Sequence, residues 1–252
     1  MMTILAMDTS TETLTIALGD DTGQLIAEYS LVMGKRHATL LHPVIDDMLA
    51  KLCLTPKDLT GIAVGVGPGS YTGVRIAVTA AKSLAFALSI PVLGVSSLFA
   101  AAYAQRDQQG IVLVVFDARR SEAYTGIYLA DAGNIVSLIE ETKLSYEEAI
   151  KQAKVLAISY QQERVIVVGN GIKQAMHVAE QSMPKVVPRN QTIQVSAKDV
   201  YQVALPEVIQ RLTRAQGELT QDAQILVPTY LQLAEAEARW RTLQQEPLTH
   251  DK

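Results

Sequence analysis

The sequence predicts an α/β protein of two lobes, each a β-meander with flanking helices. Three observations point there. The chain opens on three alternating apolar segments with no helix between them, which reads as an antiparallel meander. A glycine-rich turn, GVGPGSYTGVR from Gly65 to Arg75, joins a short apolar run to a long helical pattern. From Ile111 onward the same order returns in reduced form: three strands, a helix, a strand and a glycine turn into a helix. The repeat lies in the order of elements, not in residue identity. Duplicated halves of this kind predict a cleft between two lobes.

The elements follow in order. Thr3–Asp8 and Thr13–Leu18 read as strands joined by Thr9–Glu12, and a turn at Asp20–Gly23 leads to a third strand, Gln24–Leu31. After a loop around Gly34 to Arg36, a helix is predicted over Ala38–Leu52. Its apolar positions (Leu40, Leu41, Val44, Ile45, Met48, Leu49, Leu52) recur at helical spacing, with His42, Asp46, Asp47 and Lys51 opposite. Gly61–Val66 is the strand that feeds the glycine turn. The helix after it, Thr72–Leu88, is apolar almost all round and interrupted only by Arg75, Thr79, Lys82 and Ser83. Such a helix has to be covered on more than one side, by its own domain or by another protein. Val92–Val95 reads as a short strand, Ser97–Ala104 as a helix, and the polar stretch Arg106–Gly110 as a boundary.

In the second half the strands are Ile111–Phe116, Ala123–Leu129 and Ile135–Glu140, with a turn at Asp131–Asn134. Helix Tyr146–Ile158, strand Arg164–Val168 and the turn Gly169-Asn170-Gly171 come next. An amphipathic helix (Ser196–Leu212), a linker (Gly217–Gln224), a short element (Val227–Leu231), a polar closing helix (Ala234–Gln245) and a disordered tail complete the chain. The expected division is a first lobe at 1–105, a reduced second lobe at 106–227, and a C-terminal helix and tail at 228–252.

Composition excludes several classes. With 48% hydrophobic and 19% charged residues, the 252-residue chain is expected to bury a sizeable core. No apolar run approaches the ~20 residues that span a bilayer. The opening MMTILAMDTS alternates like a strand and lacks the features of a signal peptide, so a cytoplasmic protein is expected. Its one cysteine, Cys53, leaves no internal disulfide and reads as a core thiol in an apolar stripe. A net charge of −4, basic pairs only at Lys35-Arg36 and Arg119-Arg120, and 5% aromatic residues do not describe a dedicated nucleic-acid binder.

Two places carry possible chemistry. The glycine turn can aim backbone N–H groups at an anion, and Ser70 or Thr72 can cap the helix; it can equally be a tight turn that holds nothing. Asp8-Thr9-Ser10, at the tip of the opening hairpin, could hold a Mg²⁺-bound phosphate or simply cap its own turn. Asp117, in DARRSE at the tip of the second half, matches Asp8 in position. Carboxylates at both tips would bracket a nucleotide between the lobes; the alternative for Asp117 is a solvated hairpin. His37 and His42 are five residues apart, which puts them about 140° apart on a helix and argues against a shared metal. The glycine turn lacks the G-K-[ST] ending of a Walker motif, and no G-x-S-x-G elbow occurs.

These landmarks together resemble the TsaB family, once called YeaZ. They are Asp8-Thr9-Ser10, GPGSYTGVR with its apolar helix, Pro91-Val92 running to Val95-Ser96-Ser97-Leu98, DARRSEAY from Asp117 to Tyr124, and Pro228-Thr229-Tyr230-Leu231 before Glu235-Ala236-Glu237. They reach from residue 8 to about 237, and GPGSYTGVR is the most specific of them. The family usually carries Arg after the Tyr-Leu pair, where this chain has Gln232.

The resemblance implies an actin-like ATPase fold shared with sugar kinases and a cytoplasmic role in making threonylcarbamoyladenosine beside the anticodon of tRNAs. It implies a chain without its own catalytic set or cofactor, paired with the transferase TsaD, joined by the ATPase TsaE and supplied by TsaC. ATP and Mg²⁺ would belong to TsaD and TsaE, and tRNA would be met indirectly. The two long helices would face TsaD, or a second copy in its absence, through Leu41, Val44, Ile45, Met48, Val74, Val78, Ala81, Lys82 and Ala85. Asp8, Thr9, Ser10, Gly67, Gly69, Ser70 and Asp117 would then be a vestigial phosphate loop. The rival expectation is an independent phosphotransferase or glycoprotease-type enzyme.

Overall fold

The computed structural model describes residues 2–32, 36–179, 184–189, 195–212 and 223–231. Strands β1 (Thr3–Asp8), β2 (Thr13–Asp20) and β3 (Leu25–Val32) form the opening meander. Helix α1 (His37–Lys51), strand β4 (Gly61–Gly65), helix α2 (Tyr71–Leu88), strand β5 (Val92–Val95) and helix α3 (Ser97–Tyr103) follow. The order then repeats with β6 (Gly110–Asp117), β7 (Glu122–Asp131), β8 (Asn134–Ser145), α4 (Tyr146–Ser159), β9 (Arg164–Val168), α5 (Ile172–Val178) and β10 (Lys185–Pro188). Helix α6 (Ala197–Leu212) comes last.

The two five-stranded sheets run β3-β2-β1-β4-β5 and β10-β9-β6-β7-β8. Taken from the meander inward they share one topology: three antiparallel strands, then two parallel ones reached by helices. This is the duplicated α/β arrangement of the actin-like class. Among the described residues no helix is long and apolar enough to cross a membrane.

The period of two along each strand assigns its faces. On β1, Leu5 and Met7 join Leu14 and Ile16 of β2 in a core closed by α1 and α2. On β6, Leu113 and Val115 meet α4 through Ala149 and Ala153. The opposite faces of both sheets share one cluster: Ile4 and Ala6 with Val112, Val114 and Phe116, joined by Leu98 of α3 and Tyr201 of α6. Burying each such Leu, Ile or Phe contributes about 1.5–3 kcal/mol. The expected cleft between lobes is therefore filled at this level by side chains.

Tyr201 explains Gly19, because its ring comes within 2.3 Å of where a Cβ would stand. Helix α6 packs across β4, β1, β2 and β5 of the first sheet, although the sequence grouped it with the second lobe. An amphipathic stripe fixes that a helix is covered, not which sheet covers it.

Local expectations hold with shifted ends. Strand β8 extends from Asn134 to Ser145, whose hydroxyl then caps α4 by accepting from Glu148 N, and β10 was not foreseen. Cys53 is exposed, not a core thiol. It sits at φ 56° just past α1, where Cys53 N donates to Ala50 O and Leu54 N to Leu49 O. That is a Schellman closure, whose left-handed residue points away from the helix it ends. The closing helix Ala234–Gln245, the tail, Gln232 and most of the linker lie outside the described residues.

Candidate functional site

The glycine turn is packed against the first hairpin tip rather than opened toward a ligand. Ser70 N donates to Ser10 O at 2.7 Å, and the Thr9 hydroxyl donates to Gly73 O at 2.7 Å. Gly67 N donates to the Ser97 hydroxyl, and Ser97 N to Gly67 O. The glycines make this contact possible. A Cβ at Gly65 would stand 1.8 Å from Asp8 Oδ2, one at Gly69 2.4 Å from Ser10 O, and one at Gly73 2.0 Å from Thr9 O. As expected, Ser70 caps α2, accepting from Gly73 N at 3.3 Å.

Asp8 is 1% exposed, and both of its oxygens are engaged. Oδ1 accepts from Ser10 N and the Ser10 hydroxyl, each at 2.7 Å, and Oδ2 accepts from the Ser97 hydroxyl at 2.6 Å. Burial pushes its carboxyl above the ordinary range, against the lowering effect of those hydrogen bonds and of nearby His37. The residues expected as a first phosphate site thus come together, but as an internal knot of β1, the turn and the start of α3.

Asp117 stands apart, exposed at the second tip. Its amide donates to Asn170 Oδ1 at 2.8 Å, and its Oδ1 accepts from Arg119 N at 3.0 Å and the Tyr146 hydroxyl at 3.3 Å. The DARRSE tip thus meets the Gly169-Asn170-Gly171 turn through the Asn170 side chain.

The residues expected to face a partner need correction. Leu41, Ile45, Met48, Val74, Val78, Ala81 and Ala85 are all buried in the chain's own core. Val44 packs partly against that core, and Lys82 donates to the carbonyls of Gln224 (3.3 Å) and Leu226 (2.8 Å). A strongly apolar face is the one a helix keeps for its own sheet, so the outer face falls to the residues that interrupt it.

That outer face forms an open groove between α1 and α2, about 450 Å³ in volume. It is lined by Ala38, Leu41, His42, Tyr71, Thr72, Arg75, Ile76, Thr79, Ala80 and Ser83. Thr72, Arg75, Thr79 and Ser83 recur every three or four residues, and this polar stripe was the signal available in the sequence. At one end Arg75 lies 4.8 Å over the Tyr71 ring, which in turn lies 5.1 Å from the Tyr230 ring. Tyr230 belongs to residues 223–231, which return to the first sheet. There Thr229 N donates to Val66 O, and Ala223 is buried against the α1/α2 core.

Comparison with known proteins fits this geometry. A family model described as TsaD: tRNA N6-adenosine threonylcarbamoyltransferase matches residues 30–240. The tRNA threonylcarbamoyladenosine biosynthesis protein TsaB of Bacillus subtilis is 36% identical over 241 residues, 95% of this chain and 98% of that relative. The chain belongs to the TsaB family. TsaB of Escherichia coli is 37% identical over 136 residues, covering 53% of this chain and 58% of its own length. The solved structure of YeaZ from Pseudomonas aeruginosa superposes with a TM-score of 0.72 at 29% identity, over 92% of this chain and all of that one. The fold described above is the TsaB/YeaZ fold.

Proposed function

We propose that this chain is the non-catalytic partner of a TsaD-type transferase in threonylcarbamoylation of the adenosine beside the anticodon of tRNAs that read codons starting with A. Its relatives' names support the reaction. The engaged carboxylate of Asp8 supports the non-catalytic role, since both oxygens that would face a metal or phosphate are bound within the chain. ATP and Mg²⁺ then belong to TsaD and TsaE, and a second copy of this chain takes TsaD's place when TsaD is absent.

The observation that carries the docking half of the proposal is the α1/α2 groove. Small side chains at Ala38, Thr72, Thr79, Ala80 and Ser83 let a partner helix approach closely, and Tyr71 and Arg75 at its end are of the types that dominate binding energy. An interface of ordinary size buries about 800 Å² per partner, which two helices of this length can supply.

Size-exclusion chromatography with light scattering, on the chain alone and mixed with TsaD of the same organism, tests the pairing. A heterodimer peak is expected, and Thr79→Arg, an exposed change in the groove, is expected to abolish it without altering the melting curve. Co-elution of Thr79→Arg with TsaD at the same stoichiometry sinks the groove as the docking site. Met48→Asp or Val78→Asp would not serve, because either buries a charge in the core.

A further inference from the structure

Residues 223–231 run along one edge of α2 as a strap. Lys82 Nζ reaches the carbonyls of Gln224 and Leu226 near one end, and the Tyr230 ring meets Tyr71 at the other. Tyr71 and Lys82 stand three turns apart, about 16 Å of helix, which the chain from Ile225 to Tyr230 covers at about 3.3 Å per residue when extended. Extension sends successive side chains to opposite sides. Leu226 packs inward, its Cδ1 2.8 Å from where a Cβ on Gly94 would stand, while Ile225 and Val227 are 71% and 65% exposed. Phe86, one turn beyond Lys82 on the same side of α2, is 59% exposed, and Tyr71 and Tyr230 are exposed as well. Half of the exposed large apolar side chains among the described residues therefore line one edge of one helix. Together they leave on the order of 500 Å² of apolar surface in water, the size at which a patch on a monomer is usually put to use.

We infer that the strap and the α2 edge beneath it extend the docking surface of the α1/α2 groove, and that the TsaD-type partner covers both. The inference rests on the pairing proposed above and adds Phe86, Ile225 and Val227 to it. Tyr71 makes the two regions continuous, since it lines the groove and also packs against Tyr230. The combined surface has the composition of an interface centre. In a chain with 19% charged residues, none of the groove-lining residues and none of residues 223–231 is Asp, Glu or Lys. Depletion of charge around exposed aromatic and aliphatic side chains marks a protein contact, not a polyanion. A second copy is the poorer occupant, because an isologous contact sets this patch against itself and offers no carboxylate to Arg75. Lys82 fixes the strap from within the chain, so Ile225 and Val227 reach the partner already ordered, which lowers the entropy cost of binding.

The test is isothermal titration of TsaD of the same organism with wild type and I225E/V227E, with light scattering and tryptophan emission recorded on each lone chain. The double variant is expected to bind about tenfold or more weakly, with a less negative heat-capacity change, and Phe86→Ser about threefold more weakly. I225V/V227I is expected to keep the affinity, and all variants should melt as wild type does. Unchanged affinity in I225E/V227E and Phe86→Ser, while Thr79→Arg still abolishes binding, overturns the strap and leaves the groove standing. A wild type that binds no TsaD overturns both, so the two failures can be told apart. If I225E/V227E changes the lone chain's mass but not its affinity for TsaD, the face belongs to a second copy. If it instead shifts the emission of Trp240, the chain's one tryptophan, with affinity unchanged, the face belongs to residues 232–252. Either result overturns the inference.

Discussion

The tips Thr9–Glu12 and Ala118–Ser121 occupy matching places in the two sheets and meet opposite surroundings. In the first, the hairpin lies directly on its glycine turn, backbone against backbone, and Asp8 is buried beneath it. In the second, the Asn170 side chain stands between hairpin and turn, bonded to Asp117 N, and the tip stays in solvent. One topology has produced a closed knot and an open finger. The second turn also touches its sheet, since Gly171 N donates to Val115 O and a Cβ at Gly169 would stand 2.1 Å from that oxygen. This contact is made to strand β6 below the tip, whereas Gly69 and Gly73 let the first turn reach Ser10 and Thr9 of the tip itself.

The largest expected effect tests that asymmetry directly. Gly73→Ala puts a methyl 2.0 Å from the backbone carbonyl of Thr9, which cannot move without shifting the hairpin. A loss of about 3 kcal/mol is expected, the upper end for overpacking. Gly171→Ala, in the turn of the second sheet, meets the edge of the buried Tyr146 ring, its oxygen at 2.7 Å and a ring carbon at 2.9 Å, and a side chain yields at lower cost than a backbone carbonyl. About 1 kcal/mol is expected there. Urea midpoints at constant m would measure both, and equal losses would erase the distinction between knot and finger.

A smaller effect sharpens the account of the knot through pH. The carboxyl of Asp8 is raised above its unfolded value of 3.8, chiefly by burial. As pH rises from 3.8 toward the folded value, the folded chain keeps a proton that the unfolded chain has released, so stability falls across that window. Above it the penalty is constant. Asp8→Asn carries no charge, so its stability relative to wild type is expected to rise from about pH 4 upward and then level off. Urea denaturation at a series of pH values reads this as a difference, which removes the opposing contributions of Asp20, Asp47 and Asp58. A difference that stays flat, or falls, would mean that Asp8 is not desolvated.

How much of this was legible in the sequence depends on the range of the interaction. Alternation along Thr3–Asp8 and the helical spacing of Leu41, Ile45, Met48 and Leu49 report local geometry, and they place β1 and α1 to within a residue. The contact between Gly73 and Thr9 spans 64 residues, and no local pattern announces it. The glycines of that turn, Gly65, Gly67, Gly69 and Gly73, would equally suit a phosphate. Helix α2 misled for a related reason. Its small apolar residues occur on both faces, so apolar character alone could not say which side was outward, while Thr72, Arg75, Thr79 and Ser83 could. Cys53 was misplaced because apolar character was carried one turn past the end of α1, into a left-handed cap.

The smallest expected effect bears on the finger. Ser121 is at φ 61° and exposed, and its hydroxyl is not among the contacts described at the tip. Ser121→Gly relieves the Cβ crowding but makes the unfolded chain more flexible, and these terms oppose each other. At an exposed left-handed position the steric term wins, so a gain of about 0.5–1 kcal/mol is expected from chemical denaturation. The corresponding change at the first tip, Thr11→Gly, touches a buried residue without positive φ whose hydroxyl accepts from Thr13 N, so lost packing, a lost hydrogen bond and added chain flexibility all point to a loss. A gain at Ser121 would show that the second tip is kept strained at a cost in stability, and a loss there would mean that the left-handed run from Arg119 to Ser121 is a relaxed turn.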